Sequence, residues 1–518
     1  MKDYDVVVIG AGNAGISAAL QVAQAGKKVL LIEQHNLPGG CASSFVRGRF
    51  EFEPSLHELC DIGPEDNPGE VRSILESYGV NNIEWVRVPD CFRVISKYRD
   101  GSPMDVTMPS GRKEFINAME KYVPGSLKSM SNLFELFDEI IDGLAYISSS
   151  NGSPDTEVLK EKYPNLLRTG AHPVRKVLKA VHLPSRAIDI MSTYWAYLGV
   201  DMDNMAFVHY AAMVSKYVTR GAYIPKHTSH EISVKLIERL KELGGEVWFN
   251  CRANKILFSG DRVCGVETTL GNIECKYVLA NINSDIVYGT MIPKELVPER
   301  LKKLHTARDN SLSGRMFCVY FGLDCDYKEL GIKDYSTFLM GTSDSKKEYD
   351  SILNGADTNN YAIFLCYNVA NPDASPKGTC MCSITSLAAP QDWENLTDQE
   401  YIDFKNKFAK KTMDLVKEKM GIDLSGHIEE YSVASPWTFA RYLNAPEGAV
   451  YGHETSGWDG MMPRLQSLKE DFPVKGLKTI GADGPRGDGY SAAYVCGQML
   501  AKIALKELKK MENKHVEG

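Results

Sequence analysis

Residues 5 to 33 carry a complete nucleotide cradle in one strand–turn–helix–strand unit. The apolar run Val6-Val7-Val8-Ile9 suits a buried parallel strand. Gly10, Gly12 and Gly15 follow at Gly-x-Gly-x-x-Gly spacing, and Ala14, Ala18, Ala19, Val22 and Ala23 give the next segment a small-residue helical face. Gly10 permits the tight turn, Gly12 lets a pyrophosphate approach the backbone, and Gly15 lets helix and strand pack closely. The helix N-terminus, beginning at Asn13 and Ala14, points unpaired N–H groups at the phosphates. Val29-Leu30-Leu31-Ile32 then ends in Glu33, followed by Gln34, where a carboxylate accepts hydrogen bonds from an adenosine ribose. Its charge repels a 2'-phosphate, so FAD or NAD fits better than NADP.

A second glycine turn, Pro38-Gly39-Gly40-Cys41-Ala42-Ser43-Ser44-Phe45, selects between those two. It lies where the chain passes close to the ribityl and pyrophosphate groups of a longer cofactor, and an NAD site has no evident use for it. FAD is the expected cofactor, with Gly39, Gly40, Cys41, Ser43 and Ser44 among its contacts.

The chain has 518 residues, 43% of them hydrophobic, which predicts two or more lobes. A net charge of -8 without a basic block argues against a nucleic-acid partner. No apolar stretch approaches the ~20 residues of a spanning helix, and the first residues already belong to a core strand. A cytoplasmic protein is expected, compatible with peripheral membrane contact. The twelve cysteines include no Cys-x-x-Cys pair; Cys380-Met381-Cys382 puts two thiols on one strand face, and buried reduced cysteines are expected. His227-x-x-His230-Glu231 is explained by a Thr228-x-x-Glu231 capping box, so no metal site is expected.

From about residue 100 the pattern is helical, with Leu133, Phe134, Leu136, Phe137, Ile140, Ile141 and Leu144 on one face. Residues 186 to 220 are rich in aromatics and methionines, suited to an extended apolar ligand or to ordinary core, with Tyr194 and Trp195 the named substrate contacts. A capped helix from Thr228 ends at Gly244-Gly245. Five short strands follow, at 246–250, 255–258, 263–267, 272–275 and 277–281. Residues 311 to 460 alternate strands with one long helix around Asp398 to Met420, and a glycine block returns at 476–497.

These blocks, in this order, resemble the flavoprotein family of carotenoid desaturases, carotenoid cis-trans isomerases and retinol saturase, within the amine-oxidase-like FAD superfamily. The resemblance rests on the cradle, Gly39-Gly40-Cys41 with Phe50-Glu51-Phe52-Glu53, Val278-Leu279-Ala280-Asn281, Ser435 to Tyr442 with Pro446 to Gly452, and the terminal glycine block. It implies an α/β fold: a Rossmann-type FAD-binding domain assembled from 1–100, 221–290 and 466–518, and a mixed α+β substrate domain from 101–220 and 291–465. It also implies that Ala253 meets the adenine, that Asp483 lies near the ribityl-pyrophosphate junction with Gly481 among the cofactor contacts, and that Gly489, Tyr490 and Ser491 lie along the flavin ring. Two segments depart from the family pattern, Pro225-Lys226-His227-Thr228-Ser229 and Phe52-Glu53-Pro54-Ser55.

Flavin N5 exchanges hydride, and a second group must handle a proton at the neighbouring carbon. His57 is the first candidate, with Glu58 and Tyr490 beside it, while Arg441 and Tyr442 are placed to orient a polar end group. The expected activity is saturation or desaturation of a carbon-carbon bond in an apolar polyene or lipid-like molecule. The rivals are a redox-neutral double-bond isomerase, an amine oxidase and a non-catalytic flavin-containing lipid carrier. Only one Gly-x-Gly-x-x-Gly unit occurs, so the electron partner is open among a quinone, NAD(P)H and another flavin.

Overall fold

The computed structural model describes residues 3–150, 154–308, 311–456, 458–469, 471 and 473–517. A seven-stranded sheet is built from three separated parts of the chain. Strand Asp3–Ile9 lies parallel between Val29–Ile32 and Gly271–Ala280, and Val29–Ile32 pairs in turn with Glu246–Trp248. All four residues of Val29–Ile32 and residues 6–9 of Asp3–Ile9 are buried, as expected of parallel strands covered on both faces.

Two of the expected strands prove to be one. Gly271–Ala280 runs unbroken because it has two neighbours along its outer edge: Gly271–Glu274 pairs antiparallel with Arg262–Thr268, and Val278–Ala280 pairs parallel with Leu477–Thr479. The polar stretch Asn272–Lys276 reads as a break in sequence, but it is the part of the strand whose alternate side chains face water.

Helices Asn13–Gln24, Ser229–Glu242 and Tyr490–Glu517 cover one face of this sheet. The first and last of these nearly merge: a Cβ at Gly497 would lie 2.1 Å from the Ala14 carbonyl oxygen, and Ser17 Oγ donates to the Tyr494 carbonyl at 2.7 Å.

An eight-stranded sheet carries the second lobe, in the order Ile428–Ala434, Leu312–Leu323, Cys380–Leu387, Ala362–Cys366, Ser336–Leu339, Asp90–Lys97, Pro103–Pro109, with Ala449–His453 also on Leu312–Leu323. Asp90–Lys97, grouped by the sequence reading with the cofactor lobe, thus joins the second sheet, parallel to Ser336–Leu339. Helices Leu127–Ser149 and Phe207–Arg220 pack beside it in the largest core cluster. The long helix Asp398–Met420 opens with a capping box at Thr397 and Glu400 and closes on Gly421 in the left-handed region.

The capping box expected at Thr228 does not form. Thr228 has no capping bond and its hydroxyl donates instead to Glu51 at 2.9 Å. Glu53, from the segment that departs from the family pattern, supplies the cap: its two carboxylate oxygens accept from Ser229 N–H and Ser229 Oγ, each at 2.5 Å. Long-range capping of this kind leaves no local spacing to read.

Candidate functional site

A cavity of about 700 Å³ runs between the two lobes, from the ribose-binding strand past both glycine turns to the aromatic wall of the helical segment. Its first third is lined by Glu33, Gln34 and Cys251–Asn254. The middle is lined by Gly10, Gly12, Asn13, Ala14, Gly39, Gly40, Asn281–Asn283 and Gly481–Asp483, and the far part by Cys41, Ser55–Cys60, Tyr197, Met213, Tyr217, Tyr451 and Asp488–Ala493.

The residues of the first two parts fit FAD. No side chain caps the helix at Asn13, so its leading N–H groups remain available to phosphate. The two glycine turns are tied face to face, Gly39 N–H donating to the Ala11 carbonyl at 2.7 Å. Gly12 has an ordinary extended backbone, so space and not conformation demands glycine there: a Cβ would stand 2.9 Å from Asn281 Nδ2. Glu33 accepts from Ala11 N–H at 2.7 Å and His35 N–H at 2.8 Å, and a carboxylate so held retains lone pairs for a ribose.

Some expected cofactor contacts act from behind the wall. Gly15 does not line the cavity; its hydrogen sits where a Cβ would be 1.9 Å from the Gly10 carbonyl oxygen, the close helix–strand approach for which its position is read. Ser43 and Ser44 also stand off the cavity. Ser43 Oγ donates back to Pro38, closing the turn, and Ser44 bonds Glu51 and Thr228.

Asp483 anchors the middle. It accepts from Ser284 N–H at 2.9 Å and faces His453 Nδ1 at 2.9 Å, while His453 Nε2 lies 2.8 Å from Asp285. Burial opposes charge on both Asp483 and His453. The bond between them, with Arg308 and Arg464 nearby, nevertheless holds Asp483 well below the usual carboxylate range, and the two carboxylates raise His453 to about 9.

The far part holds the candidate chemistry. His57, Glu58 and Tyr490 all line it. His57 is held from both ring nitrogens, Nδ1 3.2 Å from Tyr197 Oη and Nε2 3.0 Å from Thr385 Oγ1, and loss of water pushes its pKa down to about 3. Burial pushes Glu58 the other way, up to about 8, although Tyr197 Oη donates to its Oε1 at 2.9 Å. Glu58 Oε2 has no hydrogen-bond partner among the described residues. Tyr490 is committed to the scaffold, donating to the Cys41 carbonyl at 2.6 Å, and Ser491 Oγ donates to the Cys60 carbonyl at 2.8 Å.

The expected substrate contacts are mostly displaced. Tyr194 and Trp195 are buried core residues outside the cavity wall: Tyr194 donates to the Cys91 carbonyl at 2.8 Å and Trp195 packs on Tyr349 and Tyr361. The 3-10 turn Ser192–Tyr197 stacks Tyr197 on Tyr194 at 5.3 Å, and of its residues only the last, Tyr197, reaches the cavity, with Leu198 beside it. Arg441 is exposed and off the cavity, while Tyr442 lines its mouth, 56% exposed. Tyr197, Lys216, Asn281 and Asp488 are lining residues that the sequence reading did not select. A three-residue aromatic repeat, Tyr194 to Tyr197, is the one signal that could have found the first.

The fold and the cradle define an FAD-dependent oxidoreductase. A family model described as FAD dependent oxidoreductase matches residues 5–57. The chain is 25% identical over 528 residues to the all-trans-retinol 13,14-reductase of Rattus norvegicus, covering 96% of this chain and 84% of that one. It is 22% identical over 537 residues to prolycopene isomerase 2, chloroplastic, of an Oncidium hybrid cultivar, covering 98% and 84%. An oxidoreductase from Methanosarcina mazei shares the fold, with a TM-score of 0.63 at 14% identity, covering 96% of this chain and all of that one. The likeness to a retinol reductase and to a prolycopene isomerase agrees with the resemblance that the sequence blocks carry. Among the described residues no helix is long and apolar enough to cross a membrane.

Proposed function

We propose that this chain adds hydrogen across, or removes it from, a carbon-carbon double bond of an apolar polyene or lipid-like substrate, with Glu58 as the proton-handling residue. The observation that carries the reading is a carboxyl group kept neutral near pH 7 on the cavity wall, with one oxygen unpartnered. Bound FAD supplies hydride exchange at N5. Glu58 holds a proton for the adjacent carbon. Tyr197 orients the carboxyl through Oε1, while Oε2 is buried just behind the wall without a partner among the described residues. His57, first in the sequence reading, is neutral and engaged at both nitrogens, and positions Tyr197. Leu198, Ala212, Met213 and Met316 give the wall the apolar surface that a polyene requires. The names of the two relatives, a retinol reductase and a prolycopene isomerase, both concern conjugated polyenes.

The isomerase alternative rests on the second of those names and on the same proton-holding carboxyl, which can return what it removes. The test is to reduce the flavin-loaded protein anaerobically and add retinoid and carotenoid substrates one at a time. Flavin reoxidation coupled to loss of one conjugated double bond supports saturation; a changed isomer with the flavin still reduced supports isomerisation. No change in either across the series would sink both. Following the flavin band with NADH and NADPH in the same apparatus identifies whether nicotinamide is the electron donor.

A further inference from the structure

A second cluster of chemically capable side chains lies in the second sheet, away from the residues that line the cavity. Cys366 ends strand Ala362–Cys366, and its direct cross-strand partner is Cys382; Cys380 precedes Cys382 by two and shares its face. All three thiols are free and buried, and their sulfurs lie within 4.8 Å of one another. The surrounding core is apolar, including Phe317, Phe321, Leu339 and Ile384.

A second ligand set stands at the same end of the same sheet. Asp324, Cys325 and His427 also bring one ligand atom each within 4.8 Å, with His427 Nδ1 3.0 Å from Asp324. The register connects the two sets: Leu323, adjacent to Asp324, pairs with Cys380 on one side and with Ile428, adjacent to His427, on the other. The inner set is all sulfur, and the outer set is a mixed one with exposed Asp324 and half-buried His427.

We propose that this sheet end binds one monovalent copper ion at Cys366, Cys380 and Cys382, admitted through Cys325 and His427. Three thiolates in a dry apolar site match a soft ion satisfied by three ligands. Zinc is almost always four-coordinate and takes water where the protein supplies three ligands, and among the described residues this apolar core supplies neither a fourth side chain nor room shown for water. Packing alone would be met by any small apolar residues and gives no reason for a graded sulfur-to-imidazole series leading outwards. Binding exchanges thiol protons for the metal, so copper uptake releases protons to solvent and no electron is transferred.

The experiment is an anaerobic titration of the full chain with Cu(I) against the chromogenic competitor bicinchoninate. One equivalent should be withdrawn from the competitor, with an ultraviolet copper–thiolate band and measurable proton release. Single Cys366→Ala, Cys380→Ala and Cys382→Ala variants should each weaken retention by more than the 10- to 100-fold, roughly, that loss of an outer partner costs. Cys264→Ala, at an exposed position, should leave retention unchanged, and circular dichroism verifies that each variant is folded. No retention against the competitor overturns the proposal. So does retention that survives in folded Cys366→Ala, or zinc held more tightly than Cu(I).

Discussion

Tyr197 donates its phenolic hydrogen to Glu58 Oε1 at 2.9 Å, fixing a carboxyl on the far cavity wall that burial keeps protonated near neutrality. Aspartate or glutamate in water loses its proton three or more pH units lower than this group does, so the contact joins a structural bond to a chemical one. If Glu58 delivers the proton, turnover should fall as pH rises through about 8, where the carboxyl ionises. Glu58→Gln keeps the shape and the Tyr197 contact but has no acidic proton. We expect kcat to drop roughly 100- to 10,000-fold and the alkaline fall to vanish, with the flavin spectrum retained. A full-rate Glu58→Gln enzyme would refute the role.

Tyr197→Phe should separate orientation from acidity. Glu58 loses a bond that lowers its pKa, so the alkaline limb should move upward while kcat falls by less than in Glu58→Gln. The pH profile of kcat distinguishes this from simple repacking, which would leave the limb where it was.

The two cradle glycines should fail differently. Gly12→Val puts atoms against Asn281 Nδ2 and into the phosphate path without disturbing the helix start, so the protein should fold but purify without flavin. Gly15→Ala drives a Cβ to 1.9 Å from the Gly10 carbonyl, which must displace backbone and should cost at least about 1–3 kcal/mol of stability. Thermal melts with flavin fluorescence as a second readout check both.

Glu33→Ala removes the acceptor for Ala11 and His35 N–H and the ribose partner together. Charge-assisted bonds contribute about 1.5–3 kcal/mol each, so FAD should dissociate roughly tenfold to 100-fold more readily, measured by equilibrium dialysis.

The Asp483–His453 pair sets a pH window for stability. His453 is raised to about 9, so its contribution is full below its ordinary 6.5 and is lost as pH rises through about 9. Asp483 is lowered, so its contribution is present above its ordinary 3.8 and is lost as pH falls below that. The melting temperature should therefore be highest between these limits. His453→Gln should remove the His453 part of the alkaline decline, and an unchanged alkaline slope would show that the pair is not what sets it.

The cradle was legible because it is local: strand, turn, helix and acid fall within 29 residues, each with a period or a required residue type. Gly481, Asp483 and Ala253 were reached by family likeness and not by local pattern, and all three line the cavity. Legibility ended where function depends on long-range placement. Glu53 caps a helix 176 residues away, and the choice between Trp195 and Tyr197 turned on a short 3-10 turn that no amphipathic period marks. The single continuous strand Gly271–Ala280 was hidden because its two halves have different neighbours.

The close seating of Asn13–Gln24 against Tyr490–Glu517 also has a meaning for the order of events during synthesis. The phosphate-binding turn leaves the ribosome some 450 residues ahead of the helix that backs it and of the Gly481–Ser491 wall opposite. A nascent chain therefore exposes its small-residue helical face over that whole interval, at risk from proteases and wrong partners, and the FAD cavity is completed only once the later wall has closed on it.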